Sequence, residues 1–311
     1  MSLSTFVRIV ARGKGRARAL TFEEAHAAMT LILTDRAEPE AVGALLMVLR
    51  LRGEEPQEIA GFTQALRDHV SGCLPPADLD WPSYAAGRTR GAPLFLLSAR
   101  LVAQAGYRVS MHGWNSHQRE EADLRAALDA VGPDVIYSPL EQLCPEAFRL
   151  LQLRDTFGLR SCINTVLRMW NPSNAPASVQ GVFHPSYRGL QAQAAQMMGQ
   201  TTLTVIKGGG GEFERNPAKD ITLFGLRDGE HIQITTPPIL DEHRRLHEAD
   251  ETVDIMALWD GSLVNPFAEA TVIGTAALAL WTLGAAASPE ECTTLAQSLW
   301  DKRHDTQRIS A

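Results

Sequence analysis

The chain has 311 residues, a mass of 34.0 kDa and a formal net charge of −7. At about 150 residues per domain, this length predicts two domains. The hydrophobic share of 45% and the charged share of 21% are ordinary for a folded globular protein, which excludes disorder, collagen and coiled coil as descriptions of the whole chain.

Positive charge is concentrated at the N-terminus, although the chain as a whole is acidic. The first 22 residues contain five basic residues and no acidic one. A local basic arm of this kind can contact phosphate groups while the rest of the surface stays acidic. The candidate phosphate or nucleic-acid contacts are Arg12, Lys14 and Arg16, together with Arg88 and Arg90 of a Gly-Arg-Thr-Arg-Gly segment. A solvated basic loop is the alternative for the last two.

Residues 1–72 are predicted to form an N-terminal helical bundle. Thr21 and Glu24 have the spacing of a capping box, in which each side chain satisfies a backbone amide of the other residue. Pro39 and Pro56 suit the first turns of two further helices. Three short amphipathic helices need a partner for their apolar faces, so either the rest of the chain or a second copy of the protein must cover them.

Residues 73–311 are predicted to form a larger α/β domain. Strand-like runs over 107–111, 134–137 and 202–206 alternate with helical patterns over 94–106 and 123–131, which is typical of this class. Two further runs on either side of Asp228-Gly229 predict a β-hairpin. The apolar run from Thr271 to Gly284 is too short to span a bilayer and predicts a buried helix.

The cysteines and the N-terminal residues indicate a cellular compartment. The four cysteines form no Cys-x-x-Cys pair, so they predict neither a disulfide scaffold nor a zinc site. Arg8 directly follows Phe6-Val7, which leaves no apolar core of a secretory signal. We therefore expect a cytoplasmic protein that does not enter a membrane.

A run of four glycines follows the strand predicted over 202–206. The segment begins at Lys207 and continues through Gly208 and Gly209 to Glu212 and Glu214. Glycines leave the backbone free to turn and to direct its amides at an anion, and two carboxylates can supply oxygen ligands to Mg²⁺. The alternative is a flexible surface turn that carries solvated glutamates.

Histidines mark two further places in the chain. His112 and Gly113 end a predicted strand of an α/β unit, where ligand clefts usually open, and Asn115 follows them. His112 could contact a phosphate or a leaving group there, and a buried, hydrogen-bonded histidine is the alternative. His243 and His247 lie four residues apart with arginines between them, which predicts an exposed helix face.

The order of these segments resembles the anthranilate phosphoribosyltransferase family, which shares its fold with the pyrimidine nucleoside phosphorylases. The strand that ends in His112-Gly113 resembles a family strand ending in Lys-His-Gly, with Met111 in place of the lysine. The segment from Arg154 to Arg160 resembles the one that carries the acceptor-binding arginine. Asn164 and Asn171-Pro172 resemble the ends of an Asn…Gly-Pro-Leu-x-Asn-Pro motif, and 207–214 falls where the family has its metal-binding acidic pair.

The resemblance implies a fold, a ligand class and a set of site residues. It implies a nucleoside phosphorylase/phosphoribosyltransferase-like fold, whose helical bundle is joined by helices from about 164–190 and forms a homodimer. It implies a phosphorylated sugar as ligand, with Mg²⁺ held by Glu212 and Glu214. The implied substrate-binding residues are His112, Gly113, Asn115, Arg154, Arg160, Asn164, Lys207, Gly208 and Gly209.

Several segments depart from the family pattern. Ser83–Gly87 stands in place of the Gly-Thr-Gly-Gly-Asp loop that holds the phosphoribosyl pyrophosphate donor, and Leu167-Arg168-Met169 replaces the Gly-Pro-Leu centre. These departures argue against anthranilate transfer in the usual way. A divergent branch of the family, which lacks the donor loop and binds nucleic acid without sequence preference, resembles this chain better. The sequence thus predicts a pentosyl (glycosyl) transferase-like protein or, alternatively, a catalytically silent DNA-binding paralogue.

Overall fold

A seven-stranded sheet forms the centre of the larger domain. The computed structural model describes residues 2–13, 15–72, 74–84, 91–114, 127–128, 135–242, 244–247 and 253–304. The strands are β1 (Leu79–Ser83), β2 (Val109–Gly113), β3 (Val135–Pro139), β4 (Ala177–Val182), β5 (Thr202–Lys207), β6 (Ile221–Arg227) and β7 (Glu230–Thr236). Their order is β3-β2-β1-β4-β5-β6-β7. The first five are parallel, and β6 and β7 are antiparallel.

Helices account for most of the remaining described residues. They are α1 (Ser4–Val10), α2 (Phe22–Leu33), α3 (Pro39–Arg52), α4 (Pro56–His69), α5 (Phe95–Gln104), α6 (Leu140–Leu143), α7 (Pro145–Phe157), α8 (Ile163–Arg168), α9 (Tyr187–Met197), α10 (Ile255–Asp260), α11 (Pro266–Thr282) and α12 (Pro289–Asp301). The helix α11 is buried along nearly its whole length, as the apolar run predicted. No helix in the described part of the chain combines the length and the apolar character needed to cross a bilayer.

The predicted α/β architecture with an N-terminal helical bundle is confirmed. The capping box forms as expected, since Glu24 N–H donates to Thr21 Oγ1 at 3.2 Å and Thr21 N–H donates to Glu24 Oε2 at 3.0 Å. The helices α8 and α9 pack on α4, so helices later in the chain cover part of the bundle's apolar surface. One hydrophobic cluster joins residues of all these helices.

The hairpin between β6 and β7 is also confirmed. Residues 221–227 pair with 230–236, and the two turn residues, Asp228 and Gly229, have φ angles of 52° and 83°. Positive φ at both central positions gives a turn whose twist matches that of the strands. The helix predicted over 123–131 lies largely outside the described residues.

A buried glutamate connects the segments of the bundle. The Glu58 side chain is fully buried and lies in the first turn of α4. Its Oε1 accepts a hydrogen bond from Leu20 N–H at 2.8 Å, and its Oε2 accepts one from Glu55 N–H at 2.9 Å and contacts the Arg52 guanidinium. Because two amides and a cation satisfy the carboxylate, it can be buried at low cost while it fixes the chain before α2.

We expect Glu58→Ala to lower the free energy of unfolding by about 1–3 kcal/mol for the buried Leu20 amide alone, because that donor loses its acceptor. Glu58→Gln keeps one acceptor oxygen and should cost less. Urea unfolding followed by circular dichroism measures both changes. Equal stability of wild type and Glu58→Ala would show that this carboxylate does not hold the bundle together.

Candidate functional site

The glycine-rich loop follows β5 at the edge where the parallel strands end. After Lys207 the chain makes one 3-10 turn over Gly209–Gly211, in which Gly210 and Gly211 have φ angles of 63° and 95°. Glycine adopts such angles without steric penalty. A Cβ atom on Gly208 would overlap the carbonyl oxygen of Glu212. The loop is therefore closely packed, unlike the flexible turn that the sequence left open.

The loop amides bind the protein's own carbonyl groups. Gly208 N–H donates to Val182 O at 3.3 Å, and Gly209 N–H donates to Glu214 O at 3.1 Å. Gly211 N–H donates to Gly208 O at 3.3 Å. The expectation that the loop directs its amides at an anion is wrong for these three groups, because backbone carbonyl groups of the loop and of β4 already accept their hydrogen bonds.

Glu214 connects the loop to two other segments of the chain. Its side chain is fully buried, and its Oε1 lies 2.6 Å from His247 Nε2. Its Oε2 accepts a hydrogen bond from Phe95 N–H, at the first residue of α5, at 2.9 Å. The loop, α5 and the segment around His247 therefore meet at one carboxylate. His247 lies outside any helix and is only partly exposed, so the predicted exposed helix face is not formed there.

The carboxylates of Glu212 and Glu214 both face protein groups and do not form an open pair of Mg²⁺ ligands. Mg²⁺ requires a nearly octahedral set of oxygen ligands, whereas the two oxygens of Glu214 face an imidazole nitrogen and a backbone amide. Glu212 is 1% exposed, and its charge acts on the guanidinium of Arg168. Within the described ranges, three His, Cys, Asp or Glu ligand atoms converge only at His69, Cys144 and Glu146.

A cavity of about 500 Å³ opens beside the glycine loop. We call it the glycine-loop cavity. Lys207 and Lys219 are exposed at its wall, and Asp220 is an exposed acid beside them. The basic residues that line it are Arg188, Lys207, Lys219 and Arg245; the acidic ones are Glu214 and Asp220. Because Glu214 is buried against His247, the accessible charge of the wall is mainly positive.

His112 belongs to a buried polar network. Its ring is fully buried, with Tyr84 Oη 2.7 Å from Nδ1 and Asp80 Oδ1 3.2 Å from Nε2. Ser178 Oγ donates to the other oxygen of Asp80 at 3.0 Å, and the Trp170 ring and the imidazole pack in a T-shaped arrangement. Burial raises the pKa of Tyr84 well above its ordinary value, so the phenol stays protonated and can donate. The structure thus favours the alternative of a hydrogen-bonded core histidine.

The other predicted site residues that the structure describes lie in different parts of the chain's fold. Gly113 packs so closely at the end of β2 that a Cβ atom would overlap Ser83 O, so no other residue fits there. Arg12 and Arg16 are exposed on the bundle. Lys14, Arg88, Arg90 and Asn115 lie outside the described residues. Arg18, also in the basic segment, is neutralised by Glu24 through contacts of 2.6 and 2.7 Å.

Arg160 and Asn164 line a second cavity of about 70 Å³. We call it the arginine cavity. Arg168 and Gln191 also line it, although nothing in the sequence singled out Gln191. Arg154 is not part of its lining, but its charge acts on Arg160. The two arginines implied as acceptor-binding residues are therefore neighbours, and only one of them faces this cavity.

Residues 7–70 match the model of the helical bundle domain of a glycosyl transferase family. An anthranilate phosphoribosyltransferase of Deinococcus radiodurans is 30% identical over 239 residues, covering 70% of this chain and 70% of that protein. The solved structure of the enzyme from Thermus thermophilus has a TM-score of 0.77 at 22% identity and covers 96% of this chain and 94% of that one. A structure of the Saccharomyces cerevisiae enzyme in complex with PRPP and Mg has a TM-score of 0.73 at 14% identity, with 96% and 93% covered.

The helical bundle and the mixed sheet together define a protein of the glycosyl transferase class with a helical bundle domain. The chain belongs to the anthranilate phosphoribosyltransferase family. The resemblance drawn from the sequence is thus confirmed at the level of family and fold.

We expect Tyr84→Phe to lower the free energy of unfolding by about 1–3 kcal/mol, because it leaves the buried Nδ1 of His112 without its partner. Chemical unfolding followed by tryptophan fluorescence provides the measurement.

Tyr107→Phe is the matched control, since Tyr107 is only partly buried; its effect should stay within about 0.5 kcal/mol. If the two substitutions had the same effect, the hydroxyl of Tyr84 would not support the network.

Proposed function

We propose that this chain binds a phosphorylated pentose or nucleotide in the glycine-loop cavity, as a transferase-like member of its family. The observation that carries the proposal is the placement of two exposed ammonium groups, Lys207 and Lys219, on the wall of a cavity of about 500 Å³. Family membership supports the same ligand class, because a yeast relative of the same fold has been solved with PRPP.

Side chains rather than loop amides supply the phosphate contacts in this proposal. Three loop amides already bind protein carbonyl groups, whereas an ammonium group on a flexible stem can approach a phosphate as a point charge. The packed turn holds Lys207 at the end of β5, and Lys219 lies just before β6. Both lysines therefore lie next to strands of the sheet.

The proposed binding does not require the usual metal arrangement. In the described structure the two oxygens of Glu214 already contact His247 and the Phe95 amide, so a metal there would compete with these partners for the carboxylate. His112 is fully buried beside Tyr84 and Asp80, so it takes no part in the proposed binding. We therefore expect phosphate-dependent binding without Mg²⁺-dependent transfer to anthranilate. Homodimer formation through the bundle stays a prediction from the family resemblance.

We expect PRPP to bind in calorimetric titrations with or without Mg²⁺, and Lys207→Ala to weaken this binding by about tenfold through loss of one charge-assisted contact. Lys302→Ala, which removes an exposed lysine after α12, is the matched control and should leave the affinity unchanged. Fluorescence assays of anthranilate consumption in the same samples should show no turnover.

Two results would contradict this proposal. Binding that vanishes when EDTA removes Mg²⁺, and that is lost in Glu214→Gln, would show that the acidic pair does hold a metal. Equal affinities of wild type and Lys207→Ala would place the phosphorylated ligand elsewhere.

Nucleic-acid binding is the second candidate function. The observation that favours it is the exposure of Arg12 and Arg16 in a segment without any carboxylate. Such arginines can contact phosphate groups of any sequence, and the affinity then falls steeply as salt concentration rises.

Fluorescence anisotropy of a labelled single-stranded oligonucleotide, titrated at low and moderate salt, tests this candidate. We expect saturable binding that weakens with salt and is largely lost when Arg12, Lys14 and Arg16 are all changed to glutamate. Arg12→Glu and Arg36→Glu are the single-substitution controls. Both change the net charge by the same amount, and Arg36 is exposed elsewhere in the bundle. Unchanged affinity of the triple variant would exclude the N-terminal arm as the binding surface.

A further inference from the structure

The arginine cavity contains buried polar atoms that have no partner among the described residues. Arg168 is 5% exposed and Gln191 is 1% exposed, and both line the cavity. Arg168 Nη2 and both amide atoms of Gln191 make no hydrogen bond within the described part of the chain. The other terminal nitrogen of Arg168 donates only a long hydrogen bond, of 3.5 Å, to Asn164 O. Buried polar groups are nearly always hydrogen-bonded, so three orphans at one cavity indicate a ligand.

Positive charge dominates the same cavity. Arg50, Arg160 and Arg168 line it, and Glu54 is its only acidic lining residue among those described. Glu54 already accepts a hydrogen bond from Tyr187 Oη at 2.6 Å. The charge of Glu212 acts on Arg168 from outside the lining and offsets part of its charge.

The arginines also repel one another. Burial, together with the charges of Arg154, Arg168 and Arg50, lowers the pKa of Arg160 to about 10. Like charges that are held together in a partly buried place are costly, and an anion between them would remove that cost.

We propose that the arginine cavity binds a small protonated oxyanion such as hydrogen phosphate. Its oxygens would accept hydrogen bonds from the guanidinium of Arg168 and from the side-chain N–H of Gln191, and its hydroxyl would donate to Gln191 Oε1. The cavity, of about 70 Å³, suits a group of this size better than a nucleotide. The ligand is either the free ion or the terminal phosphate of a monoester, which share this chemistry.

This site is distinct from the glycine-loop cavity and does not depend on the function proposed for it. Phe183 is the only residue that lines both cavities among those described. Arg168 stands where the family resemblance has a Gly-Pro-Leu centre, so the buried cation is a departure of this chain from the family pattern.

The test is thermal unfolding of the full chain at rising concentrations of inorganic phosphate, with sodium chloride added to keep ionic strength constant. We expect a saturable rise of the melting temperature, because a ligand that binds only the folded state stabilises it. Sulfate has no proton to donate to Gln191 Oε1 at pH 7, so it should bind at least about threefold more weakly. Titrations with ribose 5-phosphate and with phosphate distinguish the monoester from the free ion.

Variants assign the effect to one cavity. Arg168→Met should abolish the phosphate-dependent rise, and it should also lower the phosphate-free melting temperature, because buried Glu212 loses the compensating charge of Arg168. Arg50→Gln changes an exposed residue at the same cavity and should weaken phosphate binding severalfold, so the test does not rest on a buried site alone. Lys207→Ala, in the glycine-loop cavity, should keep the full rise.

Two outcomes would overturn the proposal. A rise that is lost in Lys207→Ala but kept in Arg168→Met and Arg50→Gln would place phosphate in the glycine-loop cavity and support only the function proposed there. No saturable rise in the wild-type protein would show that the orphaned groups do not hold an oxyanion, whatever the result of the PRPP titrations.

Discussion

The burial of the Glu214 carboxylate is the constraint on which the candidate site depends. A buried carboxylate is stable only where donors surround it, and here the Phe95 amide and the His247 imidazole provide them. These contacts tie the end of β5 to the start of α5 and to a segment that follows the hairpin. The glycine loop takes its shape from the same requirement, because Gly208 and Gly209 allow the backbone to pass close to Glu212 and Glu214.

Polar side chains near the ends of the parallel strands contact other groups of the protein. Asp80, Tyr84 and His112 form a buried network, and the Glu214 carboxylate contacts protein donors. Because ligand clefts of α/β sheets open at this edge, such internal pairing changes which residues can meet a ligand. The accessible cations of the glycine-loop cavity, Lys207 and Lys219, take that position instead.

Local sequence patterns predicted the elements whose conformation depends on residues close together in the sequence. The Thr21–Glu24 capping box and the Asp228-Gly229 turn formed where their residue types required them. The sequence did not reveal β1, which contains Asp80 and Pro82, residues that are unfavourable in strands. The structure accommodates Pro82 because β1 pairs with β4 only at Leu79 and Asp80, so the proline lies beyond that ladder.

The sequence by itself determined the helical bundle, the hairpin, the α/β class and the family, since these follow from short-range spacing and from motifs in a fixed order. Only the tertiary structure decided what the charged residues do. Glu214 and Phe95 are 119 positions apart, and His112 meets Asp80 only because β2 lies beside β1. Likewise Arg168 and Gln191 reach one cavity from different helices. A titratable or polar side chain takes its role from the partners that folding brings to it, and spacing along the chain does not specify those partners.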